Sequence, residues 1–275
     1  MNTVSRQLTG SQLIRSMLLF SGAFLFAYCL NSYIIHEAGH AFGGVLVGCQ
    51  FDRFLGNPFS VGGWLDRCPE AMTLTDKFIR GMGGEIFGLP LSIAVTWLLW
   101  RKRSPMLLPL LMSATVACIG NVFSVLSITS YPDFIYDYGW ALQVGVPPAI
   151  LWAIGIVSLV FGIILMNLLI PLAGIAPTEP FWKVLVLNLS TWPLFMAVRV
   201  IYQSLIGMNS ISLFIIVVIV ATLTALTYKP LYRLMDRFTH TEPVLPSARA
   251  VWLAIGLGVG LMAGYVVLNP AWFPQ

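Results

Sequence analysis

Charge is what this chain has least of. It carries 15 Lys+Arg and 11 Asp+Glu, 9% of 275 residues, against about 25% in an average soluble domain. A water-facing globule built from it would lack the polar groups to cover its surface. Disorder is excluded as well, since it needs low hydrophobicity and high charge. The pI of about 9.0 comes from scattered basic residues and not from one patch, so no nucleic acid is expected as a partner. Histidine is scarcer still, at three residues. The four cysteines have none of the spacings of a zinc ribbon. There is no internal repeat, no low-complexity tract and no extramembrane domain.

What remains is apolar: 58% hydrophobic residues and a mean hydropathy of +0.85. The expected fold class is all-α, a polytopic membrane helix bundle in which the lipid bilayer solvates the outer surface. Each span needs roughly 20 apolar residues, and about seven transmembrane helices are expected. The first runs from about Met17 through Ile35 and continues as a helical pattern toward Gly48. The others are Gly84–Trp100, Met106–Thr129, Val146–Ala173, Val184–Ile206, Ile211–Tyr228 and Ala250–Leu268. A straight helix from Met17 to Val47 would be about 46 Å long, more than the ~30 Å hydrocarbon core, so a break, strong tilt or interfacial portion is expected there. Pro90, Pro109 and Pro193 fall inside spans and should kink them. The first 30 residues have the layout of a signal peptide, but no small-residue cleavage site follows them.

Between the first two spans, Cys49–Met82 has turn residues at Gly56, Pro58, Gly62 and Gly63 and alternating stretches such as Phe51–Leu55. A short loop or β-hairpin is expected after the first span. Cys49 and Cys68 share this loop and could pair if it faces an oxidising compartment. Cys29 and Cys118 sit in apolar spans as small hydrophobes. With seven spans, ten of the 15 basic residues fall on one side: Arg6, Arg15, Arg101, Lys102, Arg103, Lys183, Lys229, Arg233, Arg237 and Arg249. The positive-inside rule then places the N-terminus inside and the Cys49–Met82 loop outside.

The chemistry concentrates in His36-Glu37-Ala38-Gly39-His40. On a helix, residues i and i+4 share a face, so both imidazoles can reach one metal. Glu37 stands beside the first ligand. Zinc lowers the pKa of a bound water from 15.7 to about 7, and a carboxylate there can take its proton. Two of the three histidines lie in this motif, within an apolar stretch where ionisable groups are costly and functional by default. The competing reading is a polar cluster that glues helices together. The glycines Gly39, Gly43, Gly44 and Gly48 are read as close-packing positions. His240 lies in a polar loop on the predicted opposite face.

A catalytic zinc takes three protein ligands. The third should be a carboxylate: Asp137 first, with Asp133 and Glu85 as alternatives. For each, a capping or loop role is the alternative. Asn121, inside a span, could donate to a substrate carbonyl or its oxyanion if it lies near the metal; otherwise it makes an interhelical hydrogen bond. Arg199 would snorkel or pair with a carboxylate such as Glu179. Tyr131, Tyr136, Tyr138, Trp140, Trp97 and Trp100 read as an aromatic belt at span ends.

The segment from His36 to Ala41 in a hydrophobic helix resembles the site-two protease family of intramembrane zinc metalloproteases. In that family a hairpin-like loop follows the motif helix, then a Gly-rich helix start; Cys49–Met82 and Gly81-Met82-Gly83-Gly84 are similar in order and length. The family's third ligand is an Asp followed by Gly on a later helix opening with Asn-x-x-Pro. Asn121, Pro132, Asp137 and Gly139 look like a loosened version, with a longer Asn–Pro spacing and one residue between Asp137 and Gly139. The resemblance covers about Tyr28 to Pro148. It implies a metalloprotease-like membrane core over residues 1–148, with additional transmembrane helices of unknown role over 149–275.

The expected function is a zinc-dependent endopeptidase of the cell membrane, with His36, His40 and Asp137 on the metal and Glu37 and Asn121 catalytic. Its substrates would be membrane proteins or peptides. An extended substrate could add to an edge strand of the Cys49–Met82 loop. Two other functions compete: a metal-binding membrane transporter, and a non-catalytic relative that binds membrane clients. The family places its active site toward the cytosol, whereas the charge count places this one outside.

Overall fold

A computed structural model of the chain describes residues 8–56, 62–130, 137–191, 211–239 and 243–268. It is mostly helical, with one two-stranded antiparallel sheet after the first long helix. Among the described residues, three helices are long and apolar enough to cross a membrane: Gly10–Leu46, Pro105–Val122 and Pro148–Ala173. A fourth crossing results if the pair Leu74–Gly81 and Gly84–Lys102, bent by 48°, counts as one span. Of the other expected spans, Val184–Ile206 lies largely outside the described residues. Ile211–Tyr228 falls within the helix Ile211–Thr239, and Ala250–Leu268 within Ala248–Leu268. Many large exposed side chains are apolar, with Trp97, Leu98 and Val157 each more than 60% exposed. Such a surface suits lipid and not water.

Contacts divide the chain into two compact units. One contains Tyr28–Leu98, Ser113–Gly162 and Leu261–Gln275; the other contains Met1–Ala27, Leu99–Met112 and Ile163–Gly260. The motif residues, Glu85, Asn121 and Asp137 all belong to the first.

The long first helix shows how its excess length is handled. It does not break. It runs as α1 (Gly10–Cys29), widens into a π-helical turn over Leu30–Ile35, and resumes as α2 (His36–Leu46). Such turns are uncommon and occur often at functional sites. Here the turn is held by buried Asn31, whose amide donates to the Ser113 carbonyl at 3.0 Å and to Ser113 Oγ at 2.9 Å. Its carbonyl accepts from Ser92 Oγ. α2 ends where Gly48 takes φ +85°, a conformation a side chain resists. The Cys49 N–H donates to the Gly44 carbonyl and the Gly48 N–H to Val45, the paired bonds of a Schellman stop.

The expected hairpin follows as β1 (Gln50–Gly56) and β2 (Gly62–Arg67). The strands pair from Gln50↔Arg67 to Gly56↔Gly62, with an irregularity between Phe51 and Arg53. A Cys49–Cys68 disulfide closes the base. α3 (Leu74–Gly81) starts with a capping box: the Thr73 hydroxyl accepts from the Asp76 N–H, and the Asp76 carboxylate accepts from the Thr73 N–H. Its last turn carries Arg80, whose Nε donates to Asp66 of β2 at 2.7 Å. A second π-helical turn, Gly84–Gly88, leads into α4 (Leu89–Leu99). Pro90 thus falls in the first turn of α4, where a missing N–H does least harm. Pro109 sits likewise at the start of α5 (Leu108–Leu111), just before α6 (Ser113–Ser130). Pro193 and Arg199 lie outside the described residues. α7 (Asp137–Gln143) and α8 (Pro148–Leu169) complete the elements around the motif.

In the other unit, Lys183 departs from the loop position expected of it. It is buried, donating to Glu179 Oε2 at 2.6 Å and to the Leu8 carbonyl at 2.9 Å. Glu179 Oε1 accepts from the Leu8 N–H at 2.6 Å. A charge inside the bundle requires such pairing, so Glu179 serves Lys183.

Candidate metal centre

α2 sorts its residues by face. Glu37, Gly39, His40, Gly43 and Gly44 are buried, while Phe42, Val45 and Leu46 are exposed. The buried face packs backbone to backbone on the turn after α3. A Cβ at Gly39 would strike the Gly83 carbonyl, and one at Gly83 would lie 2.7 Å from the His40 Cα. A Cβ at Gly84 would run into the His36 imidazole. Glycine is therefore required at these positions by contact, and the motif helix lies closer to its neighbour than side chains would allow.

The two imidazoles point their Nε2 atoms at one place, 3.0 Å apart. The Asp137 carboxylate meets them there, with Oδ2 3.2 Å from His36 Nε2 and Oδ1 3.2 Å from His40 Nε2. The remaining ring nitrogens are held from behind. His36 Nδ1 lies 3.3 Å from Glu85 Oε2. His40 Nδ1 lies 3.1 Å from the Arg80 carbonyl oxygen, with the Gly84 N–H at 3.4 Å. Partners on the outer nitrogens fix ring orientation and tautomer at metal sites. His40 is buried, whereas the side chains of His36 and Asp137 are 29% and 21% exposed, so the cluster opens along that edge.

The donor set fits zinc. Two neutral imidazole nitrogens and one carboxylate are a known catalytic combination. Tetrahedral ligands at 2.0–2.1 Å from an ion stand about 3.3 Å apart, close to the separations here. Glu37, one residue from His36, is 3% exposed, and its Oε2 has no hydrogen-bond partner among the described residues. Burial raises the Asp137 carboxyl, but the His36 and His40 rings outweigh it and hold the group below the usual carboxylate range. A second grouping, Cys49, Asp66 and Cys68, offers no thiolates because its cysteines are joined.

Of the residues singled out in the sequence, His36, His40 and Asp137 come together. Glu85 meets the back of His36, on the side away from the convergence, and Ser124 hydrogen-bonds its carboxyl. Asp133 and His240 lie outside the described residues. Asn121 is buried, with both ends of its amide engaged: Oδ1 accepts from the Tyr138 hydroxyl at 2.5 Å and Nδ2 donates to Ser158 Oγ at 2.6 Å. Tyr138 is therefore no belt residue. It is 2% exposed, and burial above all, with Glu85 and Asp137 nearby, pushes its hydroxyl up, so it stays protonated as a donor. Its neighbour in sequence is Asp137, and this hydrogen-bond chain ties the start of α7 to α6 and α8. Reading by composition missed it because a tyrosine near a span end looks the same whether it faces headgroups or the interior.

Compared with known proteins, the chain matches no family model, no curated sequence and no solved structure.

Proposed function

We propose that this protein is a zinc-dependent endopeptidase of the cell membrane, with about seven spans, which hydrolyses peptide bonds of membrane-protein substrates. One observation carries the reading: two imidazole nitrogens and a carboxylate converge within 3.2 Å of one another beside a buried glutamate that has an unpartnered oxygen. His36, His40 and Asp137 would hold the metal, which supplies Lewis acidity toward water and a peptide carbonyl. Glu37 takes a proton from the attacking water at Oε2 and returns it to the amide nitrogen that leaves, the task of a general base and then a general acid. Glu85 and the Arg80 carbonyl keep the two rings aimed. The engaged amide of Asn121 favours a positioning role through Tyr138 over direct contact with substrate. The hairpin supports extended binding, because each of its two strands keeps one edge unpaired among the described residues.

The test is zinc content alongside turnover. Glu37→Gln should keep one zinc per chain and lose cleavage of a membrane substrate by roughly 10²–10⁴-fold. His36→Ala should lose the zinc. A wild-type protein that stays metal-free after reconstitution with zinc, or a Glu37→Gln variant that cleaves at the wild-type rate, would end the reading.

A further inference from the structure

We infer that the candidate site opens on the oxidising face of its membrane, and that its substrates are the segments membrane proteins expose on that face. The substrate half of this rests on the peptidase reading; the sidedness does not.

The argument starts at the Cys49–Cys68 disulfide. Forming it from two thiols releases two electrons and two protons to a thiol–disulfide oxidant, and such oxidants operate in extracytoplasmic and lumenal compartments while cytosolic thiols stay reduced. The other two cysteines, Cys29 and Cys118, are free and buried inside helices. Oxidation is thus confined to the loop.

That loop is fastened to the site. Cys49 follows directly on the stop of α2, five residues after Gly44 and nine after His40. Asp66 of β2 pairs with Arg80, whose carbonyl oxygen sits on His40 Nδ1. The side on which the disulfide forms is therefore the side on which His36, His40 and Asp137 meet. The next helices agree. From Glu85, against His36, the segment Gly84–Lys102 has 19 residues, about 28 Å at 1.5 Å per residue and close to one hydrocarbon thickness. It ends in Arg101-Lys102-Arg103, within a stretch, 99–112, that has no acidic residue. The chain then returns through Pro105–Val122 and α6 to Asp137, again at His36. The triple-basic turn lies one crossing from the site, and ten of the 15 basic residues fall on its side in the seven-span arrangement, which marks it as cytosolic. Two unrelated kinds of chemistry, thiol oxidation and charge retention, assign the same face. It is opposite to the cytosolic orientation implied by the family resemblance.

The experiment uses the full chain expressed in bacterial cells that have an oxidising periplasm. After denaturation, a polyethylene-glycol maleimide should add to two thiols without reductant and to four with it. Separately, Lys77→Cys on the exposed face of α3 and Lys102→Cys at the far turn are treated in intact cells with a membrane-impermeant maleimide. Labelling at 77 should equal that after lysis, and labelling at 102 should appear only after lysis. Four free thiols without reductant, or labelling at 102 with 77 protected, would overturn the assignment. Zinc measured on the same material keeps the two readings apart. Zinc-free protein labelled at 77 leaves the sidedness standing without the peptidase, and zinc-loaded protein labelled at 102 does the reverse.

Discussion

Glu85 and Asp137 are both carboxylates beside His36, yet they face different nitrogens of one ring. Asp137 lies on the Nε2 side with His40, and Glu85 lies behind Nδ1. That difference separates ligand from support. Glu85→Gln should weaken zinc binding by roughly 10–100-fold, the usual cost of an outer-shell change, while Asp137→Ala should abolish stoichiometric binding; competition with a chromophoric chelator measures both. Asn121 offers a sharper choice. If it positions Asp137 through Tyr138, then Asn121→Leu and Tyr138→Phe break the same link, and their effects on turnover should not add. Additive losses in the double variant would return Asn121 to direct contact with substrate.

The site is assembled by elements of unusual winding. α2 is preceded by one π-helical turn, Leu30–Ile35, and His36 is met by residues of another, Gly84–Gly88. A π turn admits an extra residue per turn and so rotates every later side chain about the helix axis. The close approach behind His36 depends on glycine, and Gly84→Ala would force a methyl into the imidazole. The expected result is a loss of about 1–3 kcal/mol from overpacking, or a rotated His36 and a fall in zinc affinity. A thermal melt and a metal titration, run on the same variant, detect either one. An unchanged melt with unchanged zinc binding would show that the approach is looser than the contacts require. At the hairpin, the disulfide and the Asp66–Arg80 pair hold two short strands that would be marginal alone.

The whole molecule is committed to lipid. Long apolar helices with exposed Trp97, Leu98 and Val157 leave no soluble alternative, so the protein should stay in the membrane pellet at pH 11 and move to the supernatant only with detergent. Release at high pH without detergent would contradict the spans. Composition alone determined this outcome, because 9% charged residues cannot solvate a globule of this size. Local pattern determined the helix bearing His36 and His40 and the hairpin between Cys49 and Cys68, since i,i+4 spacing and turn glycines act over a few residues. Tertiary structure alone decided which carboxylate meets the histidines and which stands behind them, that Tyr138 and Lys183 turn inward, and that the two loop cysteines join. Asp137 lies 97 residues after His40, and no local pattern reaches that far; its place depends on two intervening crossings, a bend of 48° and two π turns whose extra residues shift the phase of everything after them.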